Sequence, residues 1–207
     1  MPSNENGLTR TEQKQLTRRR LLEATIDIIA EEGLTGVTMG RVAERTDLSR
    51  GICNFHFNTK DQLLIEALRM LYHENEQAWR GAIADPKLSP EKKLKKLIET
   101  LLNTPVADPK KLAVWFAFWG IPTYRKKYIE LCAQGDRAYE GAIENLLLEM
   151  SGGLTEIKGL SLRAISVALT GMIDGVHLQY LIAPGRLDEN EATQACLAYL
   201  SSFFPVA

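Results

Sequence analysis

Apolar residues recur along the chain at intervals of three and four, and no stretch alternates as a half-buried strand would. Leu22, Ile26 and Ile29, with Leu21, Thr25 and Ile28 beside them, form a wide helical stripe that Gly33 stops and Gly36 turns. Thr38 then caps a short helix carrying Val42 and Ala43 inward, "RTDLS" interrupts it, and Ser49 caps the next. Asn58 or Thr59 opens a long helix with Leu64, Leu68 and Leu71 on one face, running towards Trp79. Asp85-Pro86 and Ser89-Pro90 break the chain before a helix that turns Leu94, Leu97, Ile98, Leu101 and Leu102 inward. After a further break from Asn103 to Pro109, "KKLAVWFAFWG" is apolar nearly all round, so it is either buried or lines a cavity. Pro122 starts or kinks a helix reaching about Met150, which "SGG" ends. Two last helices follow, over roughly 156 to 182 and 188 to 204, parted by "APG". The pattern predicts an all-α fold of about nine helices. The first four make a unit over 1–75, and the rest make a larger one over 76–207.

Two short helices, over roughly 38–46 and 49–56, lie three or four residues apart, the size of a helix-turn-helix. In that unit the second helix enters the DNA major groove and its N-terminal residues meet base edges. Cys53 and Phe57, one turn apart, can anchor this helix while Arg50, Gly51 and Asn54 face outward. Arg50 suits a bidentate contact to guanine, and Asn54 suits adenine or a phosphate. Gly51 lets the backbone come close to DNA. Lys60, at a helix N-terminus, suits a phosphate. A short helix pair with a polar outer face is also a common structural device with no DNA attached.

Charge and composition change this picture only locally. The 207 residues carry a net charge of −1 with a pI near 6.3, so nothing overall advertises a polyanionic partner. Within the first twenty residues, however, Arg10, Lys14, Arg18, Arg19 and Arg20 face only Glu5 and Glu12, forming a basic arm that can lie along phosphates or simply be solvated. Three scattered cysteines, Cys53, Cys132 and Cys196, suit a reducing cytoplasm. Neither they nor His56, His73 and His177 have metal-site spacing, so no metal or cofactor is expected. There is no unbroken apolar run of about 18 residues and no signal-peptide pattern, which points to a cytoplasmic protein with no membrane partner. An enzyme would need converging catalytic groups, and the pattern supplies none.

At residue level, "TMGRVAERTDLSRGICNFHFNTKDQLL" resembles the DNA-binding motif of the TetR family of bacterial repressors, ungapped through Thr38, Val42-Ala43, Leu48-Ser49, Gly51, His56-Phe57, Lys60-Asp61 and Leu63. The preceding "RRRLLEATIDIIAEEGLTGVT" resembles that family's first helix and turn. The resemblance implies an all-helical homodimer with an N-terminal domain for double-stranded operator DNA and a C-terminal domain for a small-molecule effector. By position, Thr38, Arg50, Gly51, Asn54, His56 and Lys60 fall on DNA-contacting sites. Asp47 stands where the family usually has glycine, and Asp tolerates the left-handed backbone such a turn needs. Asn54 replaces a frequent tyrosine.

In the second half "AVWFAFWG" and "MIDGVHLQYLI" resemble the choline-sensing, BetI-type branch, which implies choline or a related quaternary amine as effector. Trp115, Phe118 and Trp119 share a helix face that suits a trimethylammonium group, with Tyr124 close after and Asp174 as a source of negative charge. The competing reading makes the aromatic stripe core, binds Asp174 to backbone, and leaves the effector a larger apolar molecule. The resemblance also pairs the last helices, about 156–204, with their two-fold mates. Their apolar residues (Leu162, Ile165, Leu169, Ile173 and Val176, then Ala192, Cys196, Tyr199 and Phe203) would equally suit an intrachain core. A helical adaptor that binds no DNA is the rival of a different class.

Overall fold

The computed structural model describes residues 9–120 and 122–204, except for the side chains of 122–125, 128 and 134. The helices in order are α1 (Arg10–Gly36), α2 (Met39–Arg45), α3 (Arg50–His56), α4 (Lys60–Ile83), α5 (Pro90–Leu102), α6 (Pro109–Trp119), α7 (Pro122–Met150), α8 (Leu162–Ile182) and α9 (Glu189–Ser201). Packing divides the chain into two compact units, Met1–Leu71 with Ala113–Arg125, and Tyr72–Leu112 with Lys126–Ala207.

The first unit begins with a capping box, in which Thr9 accepts from the Glu12 backbone and the Glu12 carboxylate returns to Thr9. Gly33, at φ +73°, interrupts α1 at the predicted stop, and one more turn follows. Thr38 and Ser49 cap α2 and α3 through their side-chain oxygens, as predicted. Asp47 takes φ +55° in the turn between them, so an aspartate does hold the left-handed position. Leu21, Ile28, Val42, Cys53, Phe57, Leu63, Leu64 and Leu68 are almost wholly buried and make up the interior of this unit. Each such side chain contributes about 1.5–3 kcal/mol by leaving water.

The second unit is built on a single apolar cluster. Leu94, Leu97, Ile98 and Leu102 of α5 meet Ile143 and Leu147 of α7, Leu162, Ile165, Leu169 and Ile173 of α8, and Ala192, Cys196 and Leu200 of α9. Val176, Tyr199 and Phe203 pack against its margin. The apolar residues of the last two helices are therefore mostly absorbed within the chain. A different stripe of α8 is left outward: Ala164, Val167, Ala168, Gly171, Gly175, Leu178 and Ile182.

The 156–161 segment departs from the predicted helix. Lys158 (φ +52°) and Gly159 (φ +79°) make a two-residue turn between β1 (Glu156–Ile157) and β2 (Leu160–Ser161), an antiparallel pair. Two successive left-handed residues are a hairpin turn and cannot continue a helix. Helix α8 thus starts six residues later than expected, capped by Ser161. By length and composition α8 is the one described helix that could cross a membrane, but its inner stripe lies in the core and it carries Arg163, Asp174 and His177.

Candidate functional site

The α3 helix is held by its inner side. Cys53 and Phe57 are both 0% exposed, while Arg50, Gly51, Ile52, Asn54 and Phe55 are open to solvent. The two anchors lie four residues apart, so the opposite face is forced outward. Thr38 spends one oxygen lone pair on the Arg41 amide (3.2 Å) and keeps its hydroxyl proton free to donate. Gly51 lies in open surface, with only the Ser49 hydroxyl (3.6 Å) near the place a Cβ would take. Thr59 caps α4 by accepting from the Gln62 amide, and Gln62 reaches back to the Asn58 amide (2.9 Å). Lys60 is the first helical residue, so its ammonium joins the positive end of that helix.

His56 is half-buried, and its Nδ1 has no hydrogen-bond partner among the described residues. Burial first, then the charges of Lys14 and Arg18, hold its pKa below the usual histidine value. It is therefore a neutral ring at pH 7, with one ring N–H to give, and not a cation.

Most nearby arginines are already occupied. Arg41 pairs with Glu32, Arg45 with Glu31 and Arg19 with Glu23. Arg18 pairs with Glu66 (3.1 Å), lies over the Phe57 ring and donates to the His56 carbonyl. Arg20 donates to the Thr46 carbonyl at 2.8 Å. The basic arm of the sequence is thus largely helix stitched to its own unit. Arg50, Lys60 and Lys14 have no ion pair among the described residues, and the Lys14 ammonium lies 5.1 Å from the Phe55 ring centre.

The aromatic stripe is unevenly buried. Phe118 is 0% exposed and belongs to the interior, Trp115 is half-buried, and Trp119 is 39% exposed with its ring edge-on to Phe116 at 4.9 Å. The i,i+4 spacing aligns Trp115 with Trp119, whereas Phe118 is rotated away from Trp119 by a full residue step. Tyr124 lies outside the described side chains.

Asp174 belongs to the second unit, on α8. It makes no ion pair or hydrogen bond among the described residues. Burial, then the neighbouring charge of Asp136, pushes its pKa up to about 6. Asp136 accepts from the Tyr72 hydroxyl at 2.8 Å, and the same hydroxyl lies 3.0 Å from the Cys132 carbonyl. Burial raises the Asp136 carboxyl too, partly offset by that bond. The Tyr139 hydroxyl is buried within the field of Asp174 and next to Thr170, and the Asn75 carbonyl oxygen is buried with no hydrogen-bond partner among the described residues. Gly135 makes room for this arrangement, because a Cβ there would sit 2.2 Å from the Tyr72 ring.

The sequence reading missed Tyr72, Asp136 and Tyr139. Polar residues at positions 72 and 75 of an otherwise apolar face, and a glycine beside Asp136, are the signals available. Further along, Trp79, Arg80, Ile83, Arg137, Gly141 and Asn145 line an open groove of 430 Å³. Among the described residues no three His, Cys, Asp or Glu side chains gather as metal ligands. Burial raises the Cys53 and Cys196 thiols, so neither is a ready thiolate.

Two family models match the chain. "Bacterial regulatory proteins, tetR family" covers residues 21–67, and "BetI-type transcriptional repressor, C-terminal" covers residues 90–205. The HTH-type transcriptional regulator BetI 1 of Chromohalobacter salexigens is 27% identical over 185 residues, 89% of each chain. The regulator BetI of Burkholderia ambifaria is 25% identical over 187 residues, covering 90% of this chain and 93% of its own. Among solved structures, a candidate transcriptional regulator of Pseudomonas aeruginosa PAO1 superposes with a TM-score of 0.76 at 22% identity, over 95% of this chain and 92% of the other. A candidate regulator of Saccharomonospora viridis in complex with choline gives a TM-score of 0.73 at 21% identity, over 90% and 96%. At such identities the structures share the fold.

Proposed function

Because this chain belongs to the TetR family of bacterial transcriptional regulators, with a C-terminal half of the BetI type, we propose that it is a ligand-released repressor that binds a near-palindromic operator as a homodimer. The family is one of regulators, not enzymes. One observation carries the reading: an outward face of Arg50, Gly51 and Asn54 on a helix pinned from behind by Cys53 and Phe57. Arg50 reads a base, Asn54 reads adenine or a phosphate, and Thr38, His56 and Lys60 hold phosphates around them. The domain of about 1–75 makes these contacts, and 76–207 senses the effector and dimerises.

Two recognition helices must lie about one turn of DNA apart to fill both half-sites. The outward stripe of α8, with Val167, Leu178 and Ile182 around Gly171 and Gly175, supports a two-fold interface within 156–204. Small residues let helices approach closely, and exposed apolar ones gain by being covered.

The effector is choline or a related quaternary amine. Asp174, unpaired and half-buried, provides the counter-charge, with Asp136 near it and the Tyr72 and Tyr139 rings as polarisable neighbours. Independently of that carboxylate, Trp115, Phe118 and Trp119 on one helix, with Tyr124 following in sequence, are the aromatic faces that suit a trimethylammonium group. A ligand that binds only the DNA-incompetent state releases the operator by its differential affinity. Coupling of about 1–3 kcal/mol changes operator affinity roughly 5- to 150-fold.

Selection of bound sequences from random DNA, followed by release with choline, tests the reading. A palindromic consensus bound in the presence of competitor DNA, and lost on adding choline, is expected. No enrichment would favour a helical adaptor. Enrichment without choline release would move the effector to another class, such as a larger apolar molecule.

A further inference from the structure

Phe55 is the most exposed large apolar side chain among the described residues, at 71%. Single exposed apolar residues are ordinary and need no explanation by themselves. Its place is what matters. It follows Gly51 by four residues on the outward face of α3, beside Asn54, and it belongs to neither the Cys53 nor the Phe57 anchor. Gly51, one turn back, carries no Cβ, and the surface there is open apart from the Ser49 hydroxyl, so nothing on that side crowds the ring. Lys14 sits 5.1 Å from the ring centre and His56 meets it edge-on at 5.4 Å. Ile52, 39% exposed, lies one turn earlier on the same side.

We propose that Phe55 is a specificity-determining residue of the recognition helix, reading thymine through contact with its 5-methyl group. The inference rests on the DNA-binding reading above and adds to it a base and an atom. The thymine methyl is the apolar feature that base edges offer in the major groove, and phenylalanine is among the side chains that meet it. Hydrogen-bonding neighbours cannot supply this recognition. Arg50 suits guanine and Asn54 suits adenine, so a half-site read by all three carries purines and at least one thymine. Lys14, on the flank of the ring, is placed for a phosphate beside that base, which would fix the depth at which the ring enters the groove. A short apolar pair of Ile52 and Phe55 on an otherwise polar face is too small to dock a protein. It matches the size of one or two methyl groups.

The test uses the full-length protein and its selected operator. Each dT of a half-site is replaced singly by deoxyuridine, which removes the methyl and leaves every hydrogen-bonding group in place. Wild-type protein should lose about three- to tenfold in affinity at one or two positions, the scale of a buried methyl. Phe55→Ala should bind the unmodified operator more weakly by a similar factor and be indifferent to deoxyuridine at those same positions. Circular dichroism and melting establish that the variant folds, and Phe55→Leu, which keeps an apolar contact, should keep part of the methyl sensitivity. Wild-type tolerance of deoxyuridine throughout overturns the proposal. So does a Phe55→Ala protein that keeps the wild-type deoxyuridine profile, or one that weakens evenly on all sequences, since the ring would then merely support Lys14. If wild-type protein enriches no DNA at all, the parent reading fails first, and that outcome is seen before any variant is made.

Discussion

Replacing Asp174 by asparagine should make this protein more stable at neutral pH, even though the change touches a residue placed in the effector site. The reason is the direction of its titration. A free aspartate ionises at 3.8, and here burial and the nearby Asp136 carry the folded value to about 6. The unfolded chain therefore gives up this proton earlier than the folded one as pH rises. Stability contributed by the neutral carboxyl is intact below about pH 4, falls as pH climbs towards 6, and is gone above it. The cost at pH 7 is about 2–3 kcal/mol, at 1.36 kcal/mol for each pH unit separating the two values. Asparagine keeps the shape and carries no charge. Urea unfolding of both proteins at pH 4.5, 6 and 8 measures the gap, which should be about a third of its full size at the first and full at the last. Asp136→Asn should narrow it by removing the second-ranked cause. Choline should recover stability in the parent at pH 8 and much less in the variant, because the ligand's charge is what the carboxylate lacks. An asparagine variant that is equally or less stable at every pH would mean that Asp174 is well solvated or paired, and the effector site would lose its counter-ion.

Arg50→Ala should cost about 1–3 kcal/mol of specific binding and relax preference at one base position, read by repeating the selection. Lys60→Ala should instead weaken all sequences alike in a titration against operator and scrambled DNA. Val167→Glu should convert a particle of twice the 23.2 kDa chain mass into a folded monomer in light scattering, whereas a charge at Ile173, 3% exposed in the core, should damage the fold itself. Gly135→Ala should destabilise by about 1–3 kcal/mol in denaturant, by driving a methyl into the Tyr72 ring, and Tyr72→Ala should relieve most of that loss.

Where local chemistry decides structure, the sequence was readable. Thr38 and Ser49 cap the helices they precede, Gly33 stops α1, and Asp47 accepts the left-handed turn, each through interactions within four residues. The 156–161 segment defeated the same logic. Its apolar spacing fits a helix, and only the Lys158-Gly159 pair reveals the hairpin. Longer-range facts were out of reach. Helical spacing cannot distinguish the buried Phe118 from the exposed Trp119, because both belong to a segment apolar on all sides. Nor can it bring Tyr72 to Asp136 across 64 residues. Nor does spacing separate the apolar residues of the last helices that fill the chain's own core from the smaller set that faces outward.

The internal pairing of Arg18, Arg19, Arg41 and Arg45 has a consequence for how such a protein finds its target. Among the described residues Lys14, Arg50 and Lys60 carry no ion pair; with these three meeting DNA, two copies would displace roughly six counterions. The logarithm of affinity should then fall with the logarithm of salt with a slope of about −5. Random genomic DNA, which rewards positive charge alone, would hold this net −1 chain weakly. Little of the cellular pool would be lost to decoy sites, and a small number of molecules would suffice to keep one operator occupied.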